Sequence, residues 1–426
     1  MRTLLRSLLT LLLLVGCLPL GARRLTPAEV PAAQDRAWQA WRARLAADHS
    51  FQLPPLSPLG TAAPGEVQIP AQLEPDATMQ FYYGTKGQRP EAGWPLFLYL
   101  HGSGSPDDEW NVSREWALRF ADAPSAYFIP RIPRTGAWYR WYQASKQWAW
   151  EQLLQRALAS PEIDPTRLYV FGISEGGYGS QRLASFYADY WAAAGPMAGG
   201  EPLKNAPIEN CANMGFSFLT GADDTGFYRN ILTYYTQVAF DSAQLARPMD
   251  ADKRPLFVHR INLLPGMQHH INYDLTTPWL KNFVRNPYPK TVLWEDYEMD
   301  GRHRSGFYNL QVIASPTKNR TYYDMTIHDN VVRISIREVE YTAVERDKQW
   351  GIEMKFNRNY TTAKGGRLRI YLNNELVNMA KPVTVIVNGQ ECYRKTVKPN
   401  LQDMINSCTE YYDPYRVYPA SIEVSY

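Results

Sequence analysis

Six short, almost wholly apolar stretches recur along the first two thirds of the chain, at residues 95–100, 126–129, 168–171, 192–197, 216–219 and 256–264. They do not alternate apolar with polar residues, as a strand with one wet face would. Helical patterns fall between several of them, for example at 148–159 and 180–190. Continuously apolar strands separated by helices need cover on both faces, which specifies a mostly parallel sheet in an α/β unit. That unit is expected over residues 78–288.

From about residue 290 the helical period is lost. Segments 331–339, 350–356, 367–372, 383–387 and 421–424 alternate or are β-branched, and Asn388-Gly389 supplies a hairpin turn between two of them. Residues 289–426 are therefore expected to form a small all-β sandwich of immunoglobulin-like type. A length of 426 residues suits two such units, and a hydrophobic content of 45% is enough for both cores. The formal net charge of +3 gives a nucleic-acid role no electrostatic support, so none is expected.

Arg2 and Arg6 precede an apolar run from Leu8 to Val15 that is too short for a permanent membrane span. The pattern reads as a signal peptide over residues 1–22. Leu14-Val15-Gly16-Cys17 resembles a bacterial lipobox, which makes Cys17 the lipid-modified residue and the periplasm or cell envelope the expected location. Cleavage after Ala22 is the alternative, with Leu20 standing where a small residue is wanted. Residues 23–77 read as a helix and a linker. Thr26-Pro27-Ala28-Glu29 is a capping box with proline at the first helical position, and the helix should run through Trp38, Trp41 and Leu45. The proline-rich stretch 53–75 reads as an extended surface arm. Cys392 and Cys408 are candidates for a disulfide, which would leave Cys211 a lone buried thiol.

The sharpest chemical feature is Gly172-Ile173-Ser174-Glu175-Gly176-Gly177, directly after the strand at 168–171. Such a turn drives a strand abruptly into a helix and presents the serine hydroxyl above the sheet edge as a nucleophile. The backbone N–H of Glu175, at the helix N-terminus, is then aimed at a developing oxyanion. His101-Gly102-Ser103-Gly104 follows the strand ending at Leu100 and should give the second oxyanion donor, Ser103 first and Gly104 as alternative. His101 itself is expected to anchor that loop.

Gly221-Ala222-Asp223-Asp224 supplies the acid that orients a catalytic imidazole, with Asp224 preferred and Asp223 the alternative. Gly266-Met267-Gln268-His269-His270 supplies the general base, His269 preferred and His270 the alternative. All four loops leave carboxyl ends of expected strands, where open α/β sheets place their sites. The order Ser, Asp, His is that of α/β-hydrolases and differs from the chymotrypsin and subtilisin orders. No Walker loop, dinucleotide fingerprint or metal-ligand spacing occurs, so neither cofactor nor metal is expected.

On these residues the stretch from 98 to 280 resembles the α/β-hydrolase superfamily. It is similar to the polyhydroxybutyrate-depolymerase, feruloyl-esterase and predicted-peptidase group of exported proteins of Bacteroidetes-like bacteria. The matching stretches are Gly172 to Gly179, Gly195-Pro196-Met197-Ala198-Gly199-Gly200, Thr276-Thr277-Pro278-Trp279-Leu280, and His269-His270-Ile271-Asn272-Tyr273. The last fits with His269 as base, although Gln268 stands where the group commonly has glycine. The resemblance implies an exported serine hydrolase, first of all a carboxylic-ester hydrolase acting on carbohydrate-linked feruloyl or acetyl esters. A prolyl-oligopeptidase-like serine peptidase is the alternative, disfavoured because too little chain precedes residue 78 for a propeller. A surface binding protein with an inactive hydrolase domain is the third reading. Trp138-Tyr139-Arg140-Trp141-Tyr142 is a candidate wall for an aryl or sugar pocket, with simple packing of a long loop as the competing account.

Overall fold

The computed structural model describes residues 24–426. The signal segment, Cys17 and the junction after Ala22 lie outside the described residues. The chain begins with α1 (Val30–Ala46), β1 (Ser57–Pro58), β2 (Gly65–Gln68), β3 (Thr78–Lys86) and β4 (Trp94–Leu100). Then α2 (Pro106–Arg119) leads to β5 (Ser125–Pro130), α3 (Ala144–Ala159) to β6 (Ile163–Ile173), and α4 (Glu175–Phe186) to β7 (Ala193–Met197) and β8 (Gly215–Gly221). The first unit closes with α5 (Arg229–Ala246), β9 (His259–Leu264) and the short α6 (Thr276–Leu280).

These strands form one sheet in the order β1-β3-β5-β4-β6-β7-β8-β9, with β2 paired to β3. From β5 to β9 every neighbouring pair is parallel, whereas β3 runs antiparallel to β5. The unbroken apolar runs are explained by the two covered faces. Phe97 and Tyr99 of β4 point to a core shared with Trp110 and Ala117 of α2 and Leu280 of α6. Leu96, Leu98 and Leu100 of the same strand point to the opposite core, with Trp150 of α3, Leu183 of α4 and Phe240 of α5. Each such buried side chain contributes about 1.5–3 kcal/mol of transfer free energy.

The stretch 53–75 departs from the expected surface arm. It supplies β1 and β2, which pair with β3 and so belong to the sheet. Prolines were the misleading signal, since Pro58 sits on an edge strand, where a missing N–H costs no ladder bond.

The second unit comprises β10 (Thr291–Asp296), β11 (Gly306–Phe307), β12 (Leu310–Ala314), β13 (Arg320–His328), β14 (Val331–Arg346) and β15 (Glu353–Thr362). It continues with β16 (Arg367–Leu372), β17 (Val383–Val387), β18 (Gln390–Lys395), α7 (Leu401–Tyr411) and β19 (Ala420–Ser425). One sheet has the order β10-β13-β14-β17-β18 with β15 on β14, and the other β11-β12-β16-β19. Trp294 of the first stacks on Phe307 of the second at 5.4 Å between centroids, so the two sheets share a core. Asn388 and Gly389 both take positive φ, 48° and 83°, in the tight turn from β17 to β18.

Two details differ from the sequence expectation. The sandwich carries a helix, α7, whose Met404, Cys408 and Tyr411 are buried. It packs against α1, with Gln34 Nε2 donating to the Val417 carbonyl at 2.7 Å and Trp41 stacked against Tyr412. The pairing of Cys392 with Cys408 is also corrected: both are free, one exposed on β18 and the other buried in α7.

Candidate active site

The loops singled out in the sequence leave the carboxyl ends of β4, β6, β8 and β9. Between β6 and α4, Ser174 alone makes the turn, at φ 56° and ψ −114°. A residue with a Cβ seldom occupies that region, and such strain concentrates where function holds it in place. The flanking glycines are steric necessities. A Cβ on Gly172 would lie 2.2 Å from the Gly176 carbonyl oxygen, and one on Gly176 would lie 2.0 Å from that of Leu100. No other residue fits either position.

The hydroxyl so presented meets a histidine. His269 Nε2 lies 2.9 Å from Ser174 Oγ, and His269 Nδ1 lies 2.8 Å from Asp224 Oδ2. With Nδ1 donating to the carboxylate, Nε2 is left to accept the serine proton. Asp224 is buried, and Arg229 clamps it from the far side, Nε at 2.8 Å from Oδ2 and Nη2 at 2.6 Å from Oδ1. Burial pulls the Asp224 carboxyl upward, but the hydrogen bonds from Arg229 and His269 outweigh it and hold it below the usual carboxylate range. It stays ionised where an imidazolium needs a counter-charge. Asp223 and His270 are exposed side chains and neither joins this chain of bonds, although His270 lines a cleft beside Ser174.

A serine on a strand-to-helix elbow, bonded to a histidine and through it to a carboxylate from later strands of one parallel sheet, is an arrangement that hydrolases of the α/β type use. The first unit carries that arrangement on a mostly parallel α/β sheet.

No family model matches the chain, and no curated protein matches it. Among solved structures, this chain is similar to a thermostable esterase at 18% identity and TM-score 0.39, over 53% of this chain and 60% of that one. The chain thus spans less than two thirds of that esterase. It is similar to a ferulic acid esterase at 12% identity and TM-score 0.36, over 52% of this chain and 98% of the other. Est1E from Butyrivibrio proteoclasticus follows at 15% identity and TM-score 0.32, over 48% of this chain and 93% of its own.

In the first unit the loop after β4 is braced from several sides. His101 is buried; its Nδ1 lies 2.7 Å from the Gly102 carbonyl, and its Nε2 accepts the Ile132 N–H at 3.1 Å. Burial, opposed only by the bond to Gly102, pushes its pKa down to about 4, so it is a neutral anchor at physiological pH. Tyr139 Oη donates to the same Gly102 carbonyl at 2.5 Å, and Trp141 Nε1 to that of His101 at 3.0 Å. The aromatic run from 138 to 142 therefore divides its duties: Tyr139 and Trp141 hold the loop, while Arg140 and Tyr142 face solvent space above Ser174. Ser103 borders Ser174 in both adjoining clefts, and Gly104 lines neither. Glu175 opens α4, so its amide has no intrahelical acceptor.

Two clefts meet at Ser174. One, of about 390 Å³, is walled by the aromatic and aliphatic side chains of Tyr99, Val112, Trp116, Ile173 and Tyr273, with Glu109, His269 and His270 at its polar edge. The other, of about 570 Å³, is more charged and includes Arg140, Glu175, Glu201 and Arg229. Burial pushes the Glu175 carboxyl up to about 7 against the opposing pull of Arg140, 3.4 Å away. Among the described residues no group of three or more His, Cys, Asp or Glu converges as a metal site would. Sequence reasoning missed Arg229. Its spacing from Asp224 carries no motif, and only the fold of the loop into α5 brings the two together.

Proposed function

We propose that the chain is a serine hydrolase that cleaves carboxylic esters, namely feruloyl or acetyl groups carried on carbohydrates, through an acyl-enzyme on Ser174. The unbroken line of hydrogen bonds Ser174–His269–Asp224 carries this reading. Ser174 Oγ attacks the ester carbonyl carbon while His269 Nε2 takes its proton. The oxygen of the tetrahedral intermediate gains its negative charge facing the amides of Glu175 and Ser103. Collapse breaks the carbon–oxygen bond to the alcohol, which leaves with the proton returned from Nε2. Water then repeats the attack with His269 as base, releasing the acid and regenerating the hydroxyl. Of the two clefts, the more aromatic one suits an acyl group and the more charged one a polyhydroxyl alcohol.

A fluorophosphonate probe and a panel of esters and dipeptide amides test the reading on the purified full chain. Labelling should be strong in the wild type and absent in Ser174→Ala, and cinnamoyl or acetyl esters should turn over faster than any amide. Amide turnover that exceeds ester turnover would move the assignment to the peptidases. A chain that ignores the probe would not be a serine hydrolase at all.

A further inference from the structure

The larger cleft is not closed by the first unit alone. Its outer wall is the tip of the long β14–β15 hairpin of the second unit, through Arg346, Trp350, Ile352 and Glu353. Trp350 is 51% exposed and Phe227 of the first unit 44%, yet their rings meet at 4.5 Å with a 48° tilt. Neither ring is loosely held. Phe227 and the next residue, Tyr228, both take left-handed backbone, φ 51° and 57°, which non-glycine residues adopt at a cost. The Asp347 carboxylate accepts the N–H groups of Gln349 at 2.7 Å, Trp350 at 3.0 Å and Ile352 at 2.7 Å, so the tip is built around a single acid. Two large apolar rings are thus fixed half in water, from separate units, at the mouth of the cleft that holds Ser174.

We infer that Trp350 and Phe227 form a subsite for the pyranose ring of the substrate's alcohol portion. This rests on the ester-hydrolase reading and supplies it with a specificity determinant. The tilted pair makes an open V and not a parallel slot, so it fits one non-planar ring laid against it. The C–H groups of a pyranose rest on the negative faces of the rings. Its rim hydroxyls meet Arg140, Glu175 and Glu353 around the same cleft. A flat aryl group would cover the rings and make no use of the polar groups around the rim. The sandwich is accordingly part of the substrate site.

Two measurements on the full chain test this. The first compares one acyl group on a methyl pyranoside and on ethanol. The wild type should prefer the pyranoside, and Trp350→Ala should lower the ratio of the two kcat/KM values by about tenfold, mostly through KM, with Trp350→Tyr restoring much of it. A ratio unchanged by Trp350→Ala overturns the subsite. The second is saturation-transfer NMR of a methyl pyranoside on Ser174→Ala protein, which needs no catalysis. Transfer to the ring protons should be seen and should vanish when Trp350→Ala is added. No transfer, or transfer indifferent to that change, also overturns the subsite. Transfer that depends on Trp350 in a protein whose wild type hydrolyses no ester supports the subsite and sinks the ester reading alone.

Discussion

Asp223 and Asp224 are chemically identical neighbours, and only the fold gives them different work. Asp224 is buried between Arg229 and His269, while Asp223 points to solvent. In Asp224→Asn the neutral amide would offer His269 no negative charge and, with its NH2 turned toward Nδ1, the wrong hydrogen-bonding pattern. Its kcat on a small ester should therefore fall by about 10⁴, with the circular dichroism spectrum retained. Asp223→Asn should match the wild type. The opposite ranking would transfer the acid to Asp223. What the sequence shows at this scale is whatever local geometry enforces. Gly172, Ser174 and Gly176 are legible because a strand that turns into a helix within one residue has no room for alternatives. The choice within Asp223-Asp224 and within His269-His270 is legible only as a preference for Asp224 and His269, because it depends on which way a loop faces. Arg229 leaves no trace at all in the sequence, since its partner is chosen by the packing of α5.

The loop between β4 and α2 behaves as a single braced element. The Gly102 carbonyl receives both His101 and Tyr139, and the His101 carbonyl receives Trp141, so three side chains fix where the Ser103 amide lies. Donors to an oxyanion act only when the charge develops, so loosening them should lower kcat and spare KM. Tyr139→Phe deletes one brace and leaves the ring volume. We expect kcat to fall by about tenfold with KM little changed and a stability loss of about 1 kcal/mol. A raised KM at constant kcat would mean that Tyr139 contacts substrate and leaves the loop alone. Element boundaries were legible where hydrophobic runs were long, as in β4 and β8. They were lost where a short edge strand contained proline, as in β1, and where a loop residue looked like strand. Trp350, whose aromatic character reads as the start of a strand, stands in the turn before β15 because Asp347 captures the surrounding amides.

At the scale of the whole molecule, the two units are joined through buried charge. Arg416 sits between Asp189 and Asp413 at 2.6 and 2.7 Å, Arg285 adds a bond to Asp413 at 2.6 Å, and Arg304 pairs with Asp189. Arg416, Asp189 and Asp413 are fully buried, with Arg416 also stacked over Tyr190 at 4.3 Å. Asp189 follows α4 in the first unit and the other two follow α7, so the network crosses between the units. A sandwich anchored this way can hold Trp350 in register over Ser174, which a tethered module cannot. Removing one member of such a cluster strands the rest. Arg416→Leu should cost about 3–5 kcal/mol near neutral pH. Burial raises the carboxyls of Asp189 and Asp413, yet the guanidinium groups outweigh it and hold both below the ordinary range. Their stabilisation is therefore complete above the unfolded aspartate value of about 3.9 and is lost as pH falls below it through the folded values. Denaturant melts from pH 7 down to about 3 should show the gap between wild type and Arg416→Leu narrowing on the acid side, because protonation silences in the wild type the attraction that the variant already lacks. A gap constant across that range would mean that Arg416 stabilises by packing on its tyrosines, and the junction between the units would then owe nothing to its charges.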